Sequence, residues 1–232
     1  MKLGIMQPYF FPYIGFWQLL NLVDEYIIYD DVNFIKGGWI NRNRILVRGT
    51  PQYFNIQMQG ASSFKKISDI SINPLPIWRK KLLSTLTMAY KNAPYYDDVF
   101  PILEDSIFCK ESQLSTYVSN SIRAVCTYLQ IETKLLLSSE LEQNRSLRGQ
   151  DRILDICKRL KADHYYNAIG GQQLYSKNVF QQNRIELHFL KPHLPTYPQF
   201  KNEFIPALSI IDIMMFNSPR EIQAMLGDYE LL

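Results

Sequence analysis

Lys36, Asn41, Arg42, Asn43 and Arg44 put three cations and two amides within nine residues. Guanidinium forks match phosphate oxygens two at a time, and amides suit sugar hydroxyls. In an extended segment Arg42 and Arg44 point to one side and Asn41 and Asn43 to the other. A diphosphate is the chemical partner such arginines would take; an exposed basic strand start is the plainer alternative. Asp30-Asp31 closes the apolar run Tyr26-Ile27-Ile28-Tyr29. Paired carboxylates at a strand end can hold Mg²⁺ or take a proton from a hydroxyl or amine. They can equally form a solvated strand end or salt bridges to the nearby arginines. Asp212 sits inside Ile210-Ile211-Asp212-Ile213-Met214-Met215-Phe216, where an unpaired carboxylate would be costly. It is expected to pair with Arg42 or Arg44, or to be catalytic, with Ser209 on the same helical face.

The stretch Gln7-Pro8-Tyr9-Phe10-Phe11-Pro12-Tyr13-Ile14-Gly15-Phe16-Trp17 is the other focus. Its Pro-x-x-Gly layout matches the phosphate-binding turn of nucleotidyltransferases, where an H-x-G-H tetrad opens a helix. Glycine there lets the backbone approach a nucleotide, and the helix N-terminus attracts phosphate. Tyr13 and Phe16 stand where the two imidazoles would be, so the usual stabilisation of a leaving pyrophosphate is missing. A tight, aromatic-packed turn from strand to helix accounts for the same residues. Gly170-Gly171, with Tyr175 above them, could present backbone N–H groups to a ligand or simply make a turn. The three His (His164, His188, His193) show no metal spacing, and no metal site is expected from the sequence.

These residues need elements to place them. A first strand, the loop at 7–15, a helix and the strand ending at Asp30-Asp31 make a βαβ opening. In open parallel sheets the ligand crevice lies beyond the carboxyl ends of the strands. The loop and both aspartates would share that edge. A hairpin follows, Ile45-Leu46-Val47 turning at Gly49-Thr50-Pro51 into Tyr53–Met58, and then a weak strand at 67–72. Trp78, Leu82, Leu86 and Tyr90 recur every four residues, a second helix fits Asp97–Phe108, and Leu114, Val118, Ile122, Val125 and Leu129 form a third stripe. Strands at 133–137, 164–169 and 185–190 alternate with helices near 153–160 and up to 180. A last helix runs from near Pro206 to Asn217, broken by Pro219 before 220–226. The fold class is α/β, a parallel-sheet core of Rossmann-like or nucleotidyltransferase-like type with a helical insertion and C-terminal helices. The chain divides into 1–76, a helical lobe at 77–130, and a returning α/β part at 131–232.

Composition sets bounds. Apolar residues make up 47% and charged residues 20% of 232, the balance of a folded globular protein. The net charge of +3 is too small to imply nucleic acid, and suits one local basic patch. Fifteen Tyr and thirteen Phe exceed what is usual; most belong in a core, and some suit a cleft for sugars or bases. Three scattered cysteines without a CxxC pair point away from disulfides and zinc. Pro8 interrupts the first apolar run before a signal-peptide core could form, and no run approaches the ~20 residues of a membrane span. A cytoplasmic location is expected.

Taken together, Gln7-Pro8-x-x-x-Pro12-x-x-Gly15, Tyr29-Asp30-Asp31-Val32, Gly38-Trp39-x-Asn41-Arg42-Asn43-Arg44, Tyr165-Tyr166-Asn167-Ala168-Ile169-Gly170-Gly171 with Tyr175, and Leu208-Ser209-Ile210-Ile211-Asp212 resemble the WbqC-like protein family. The resemblance covers essentially the whole chain as one domain, 1–232. Some members carry a His just before the Gln-Pro pair, where this chain has Met6. The resemblance implies a place in bacterial surface-polysaccharide (O-antigen, lipopolysaccharide) biosynthesis, on nucleotide-linked amino sugars. The expected reaction is acyl or aminoacyl transfer to the sugar amine. The donor would be a thioester or other ester, carried by an acyl carrier protein, or an acid activated with ATP and Mg²⁺. Arg42, Arg44 and Lys36 are expected to hold the diphosphate. Gln7, Tyr9, Tyr13, Gly15 and Trp39 would shape the pocket, and Asp30, Asp31 or Asp212 would accept the amine proton. A nucleotidyltransferase or adenylate-forming enzyme, and a non-catalytic sugar-nucleotide-binding or scaffold protein, are the alternatives.

Overall fold

A computed structural model describes all 232 residues. The opening βαβ unit forms as its pattern requires: β1 (Lys2–Met6), α1 (Ile14–Leu22) and β2 (Glu25–Ile28), with β1 and β2 parallel. The hairpin is β3 (Arg42–Val47) and β4 (Thr50–Asn55), and a second, two-rung ladder joins β5 (Met58–Gln59) to β6 (Ser71–Ile72). The strand expected at 67–72 therefore shrinks to β6, because Ile67–Asp69 coil into a 3₁₀ turn.

The middle block is helical: α2 (Ile77–Tyr90), α3 (Tyr96–Phe108) and α4 (Leu114–Tyr128), each burying the stripe its spacing marks. The alternation then returns through β7 (Lys134–Leu137), α5 (Gly149–Arg159), β8 (His164–Ala168), α6 (Lys177–Gln182) and β9 (Glu186–Pro192). The chain closes with α7 (Ile210–Phe216), α8 (Pro219–Leu226) and β10 (Tyr229–Leu231).

Six strands form one sheet in the order β10-β9-β8-β1-β2-β7. All are parallel except β10, which runs antiparallel to β9. The chain fills the sheet outward from β1, first through β2 to β7, then back through β8 to β9. The winding direction therefore reverses at the β1–β8 boundary. Such a mixed α/β sheet needs cover on both faces, and it has it. Tyr26 and Ile28 point into a large core with α1, α2, α3, α4 and α7. Leu3, Ile5 and Ile27 point into a smaller core with α5 and α6.

Two differences from the sequence reading have local causes. The last long helix starts at Ile210 and not near Pro206, because Ala207 takes a left-handed φ of 55° and Ser209 caps the helix from outside. Strand β10 carries no periodicity over three residues; it exists because the open edge of β9 offers it a ladder. No helix is long and apolar enough to cross a membrane.

Candidate functional site

The loop after β1 is fixed by its carbonyls. Asn43 donates to Phe11 O at 2.7 Å, Ser209 Oγ donates to the same oxygen at 2.7 Å, and Trp17 Nε1 donates to Pro12 O at 3.0 Å. Backbone bonds from Phe10 to Ile40 O and from Ile210 to Pro12 O complete the frame. Phe11 holds φ at 44°, uncommon for a residue with a Cβ, and these bonds hold it there. Asn43 and Ser209 thus brace the loop, and Asn43 also lines the hollow described below. Ser209 is also the N-cap of α7, accepting from Ile211 N, and does not engage the Asp212 carboxylate.

A local contact also calls for a bare Cα at Gly15. A Cβ there would lie 2.7 Å from the ring of Tyr13, whose phenol folds back over the first turn of α1. Phe16 is buried against Tyr26, Trp17 and Tyr9. The turn is therefore aromatic-packed, and its helix N-terminus lies under Tyr13. Gly171 has a similar logic. A Cβ would meet Asn167 Oδ1 at 2.5 Å, and Asn167 in turn donates to Tyr165 OH at 2.6 Å. Tyr175 packs edge-on to Tyr165 and Phe180.

What this frame presents is a hollow of about 190 Å³, lined by Tyr9, Pro12, Tyr13, Trp39, Asn43, Arg44 and Ala207. It lies beyond the carboxyl end of β1, between the loop and the hairpin. Arg44 is its only charged lining residue. It makes no ion pair, and its Nε is buried with no hydrogen-bond partner. Its guanidinium stands 5.8 Å from the Trp39 ring centre. Burial raises the phenols of Tyr9 and Tyr13, so both stay protonated donors at neutral pH.

Arg42 occupies the same side of β3 and plays another part. Its Nε donates to Gly38 O at 3.0 Å and its Nη2 to Gly37 O, tying down the glycine turn. It lies 4.8 Å from the Tyr53 ring centre, and Tyr53 stacks on Trp39 at 6.1 Å. Across that stack is an open hollow of about 490 Å³ that includes Lys36, Asn41, Arg42, Tyr53 and Asn55. Trp39 is thus the partition between two adjoining recesses. Gln7 lies at the end of β1 and lines neither.

The aspartates are elsewhere. Asp30 is buried, accepting from Ser139 N at 2.9 Å, Ser139 Oγ at 2.9 Å and Ser138 Oγ at 3.1 Å. Asp31 accepts from Ser138 Oγ at 2.5 Å and Gln143 at 3.3 Å, and pairs with the buried Arg152 of α5. The pair therefore stitches the end of β2 to the loop after β7, through an arginine other than the two expected. A hollow of about 250 Å³ opens there, lined by Asp31, Val32, Asn33, Lys66, Arg145, Arg148 and Arg152. It shares no lining residue with the Arg44 hollow. The bridge between Asn33 and Lys66 and the bond from Ile67 N to Val32 O close the backbone beside it. One mouth holding both arginines and aspartates, the arrangement the sequence suggested, is not what forms.

Asp212 is fully enclosed and meets no arginine. It accepts from Tyr90 OH at 2.7 Å, Tyr197 OH at 2.8 Å and Gln199 Nε2 at 2.8 Å. Burial raises its pKa, and the three donors pull it part of the way back. The phenols of Tyr90 and Tyr197 are pushed up by their own burial and by this carboxylate.

Sequence reasoning missed Lys66, Arg145, Arg148, Arg152 and Ser138. The signal for three of them was present: Arg145, Arg148 and Arg152 recur at intervals of three and four, as one face of a turn entering a helix.

Among curated proteins the chain is 28% identical over 217 residues to "Uncharacterized protein Rv1507c" of Mycobacterium tuberculosis, covering 92% of each chain. No solved structure matches it. The model of the WbqC-like protein family spans residues 7–224, nearly all of the sequence, and this chain belongs to that family.

Proposed function

We propose that this protein acts in bacterial surface-polysaccharide biosynthesis, binding a nucleotide-linked amino sugar and transferring an acyl or aminoacyl group to its amine. One observation carries the binding half: Arg44, a cation without a counter-ion, set in an aromatic hollow beyond the carboxyl end of β1. A half-buried arginine whose Nε is enclosed without an acceptor is suited to receive an anion. Tyr9, Tyr13 and Trp39 supply faces for a sugar or base. Lys36, Asn41 and Arg42 line a second, open hollow on the far side of the Trp39–Tyr53 stack. The sheet order, with its reversal at β1 and β8, supports a Rossmann-like core, whose ligands lie at such a reversal.

The reaction half rests on what the sequence resemblance implies. Of the three carboxylates Asp31 is the one at the wall of a described hollow, ion-paired with Arg152. The proton-accepting role is assigned to it, with the sugar amine reaching from the Arg44 hollow to that recess. Asp30 braces the same strand end and Asp212 holds Tyr90 and Tyr197. The Lys66, Arg145 and Arg148 side chains in that hollow form no ion pair. They suit the phosphate of an activated donor, whether a carrier-borne thioester or ATP. Cys126 and Cys157 are buried, with thiols pushed up to about 12, so neither serves as an acyl-holding nucleophile.

A second reading, a nucleotidyltransferase or adenylate-forming enzyme, draws on the same cationic hollow as a triphosphate site. It is opposed by Tyr13 and Phe16 at the tetrad positions. The test is incubation with a panel of amino-sugar nucleotides and activated acyl donors, read by mass spectrometry. An amide product supports transfer, and pyrophosphate release from a nucleoside triphosphate supports the second reading. A folded protein that binds the sugar nucleotide yet forms no product with any donor would establish a binding or scaffold role.

A further inference from the structure

His164 opens β8 and Glu186 opens β9, and the register pairs them directly, with Tyr166 opposite His188 two residues further on. Alternation puts all four side chains on one face of the sheet. His164 Nδ1 lies 3.4 Å from His188 Nε2, and each of these nitrogens lies 3.5 Å from Glu186 Oε2. Three ligand atoms therefore form a nearly equilateral triangle. For zinc held by nitrogen and oxygen at ~2.0–2.1 Å, tetrahedral geometry separates neighbouring ligand atoms by roughly 3.3–3.4 Å. The side chains are placed as if around such an ion.

We propose that His164, Glu186 and His188 form a site for a divalent transition metal of the zinc class, with the fourth position open to solvent. Two imidazoles and one carboxylate favour zinc and its neighbours over magnesium or calcium, which prefer all-oxygen shells. His188 stacks at 4.7 Å on Tyr166, which fixes its ring plane. The site lies at the amino-terminal edge of the strands. One five-residue strand, roughly 13 Å of rise, separates it from the carboxyl edge where the candidate substrate hollows open. It is therefore distinct from them. Spacing of 24 residues between the two His hides the site in the sequence; the parallel register alone creates it.

The test uses tag-free full-length protein, with Zn²⁺ followed by calorimetry and Co²⁺ by visible absorption. The expected result is one ion per chain and the intense bands of four-coordinate cobalt. In His188→Ala and His164→Ala the affinity should fall by more than about 100-fold, beyond the loss typical of outer-shell partners. Glu186→Gln, at an exposed position, should fall in the same direction with the fold intact by circular dichroism. His193→Ala, which alters the separate His193–Asp228 pair, should bind as the wild type does. Absence of stoichiometric uptake would overturn the proposal. So would uptake unchanged in Glu186→Gln and His188→Ala, or uptake lost in His193→Ala.

Discussion

At the scale of single residues, partners decide roles that residue types leave open. Arg42 and Arg44 are alike in sequence and alternate on one strand face, yet one is spent on the Gly37 and Gly38 carbonyls and the other is left free. No local pattern distinguishes them, because the difference lies in a turn that folds back onto β3. Asp212 was legible as an uncomfortable charge; its actual partners, Tyr90 and Tyr197 with Gln199, come from α2 and from the loop before α7. Asp212→Ala would strand three buried donors, each costing about 1–3 kcal/mol. Urea unfolding should therefore show a loss of at least about 3 kcal/mol, with Asp212→Asn losing less. The raised pKa fixes the sign of the pH effect. The native state holds this proton more tightly than the unfolded chain does. The stability it contributes is complete below the ordinary carboxylate pKa of ~4 and is lost as pH rises through the raised native value. The wild-type advantage over Asp212→Asn should thus be largest below about pH 4 and shrink as pH rises above it, as measured by urea midpoints on both sides of that value.

At the scale of elements, helices and strands were mostly legible, since α2, α3 and α4 each show an apolar stripe and the parallel strands are apolar runs. What escaped was anything made by contact. The start of α7 moved because Ser209 caps it, and β10 exists only as a guest of β9. Helix α8 is a case where local chemistry suffices. Ser218 and Glu221 exchange bonds with each other's backbone in a capping box, with Pro219 at the first position. Ser218→Ala should lower stability by about 1 kcal/mol in thermal or urea unfolding, without touching substrate binding. Gly15→Ala should do more. Its Cβ would displace the Tyr13 ring, costing about 1–3 kcal/mol and loosening one wall of the Arg44 hollow. A fall in both melting temperature and ligand affinity would show that coupling.

At the scale of the whole molecule, the parallel sheet brings the β1 loop and Asp30-Asp31 to one edge, as the βαβ reading required. Along that edge the Arg44 hollow and the Asp31 hollow share no lining residue, and the Asn33–Lys66 bridge forms a wall of the second. Sequence order could place the residues on a rim; only packing could partition it. The account accordingly makes Arg44, and not the cations around Asp31, the anchor of the sugar nucleotide. Calorimetric titration of a nucleoside-diphosphate amino sugar into wild type, Arg44→Ala and Arg148→Ala tests this directly. The account predicts binding that falls about 10- to 100-fold in Arg44→Ala, the worth of roughly 1.5–3 kcal/mol for bonds to a charged group. Arg148→Ala should stay within about twofold of wild type. Full affinity in Arg44→Ala, or a loss confined to Arg148→Ala, would contradict it.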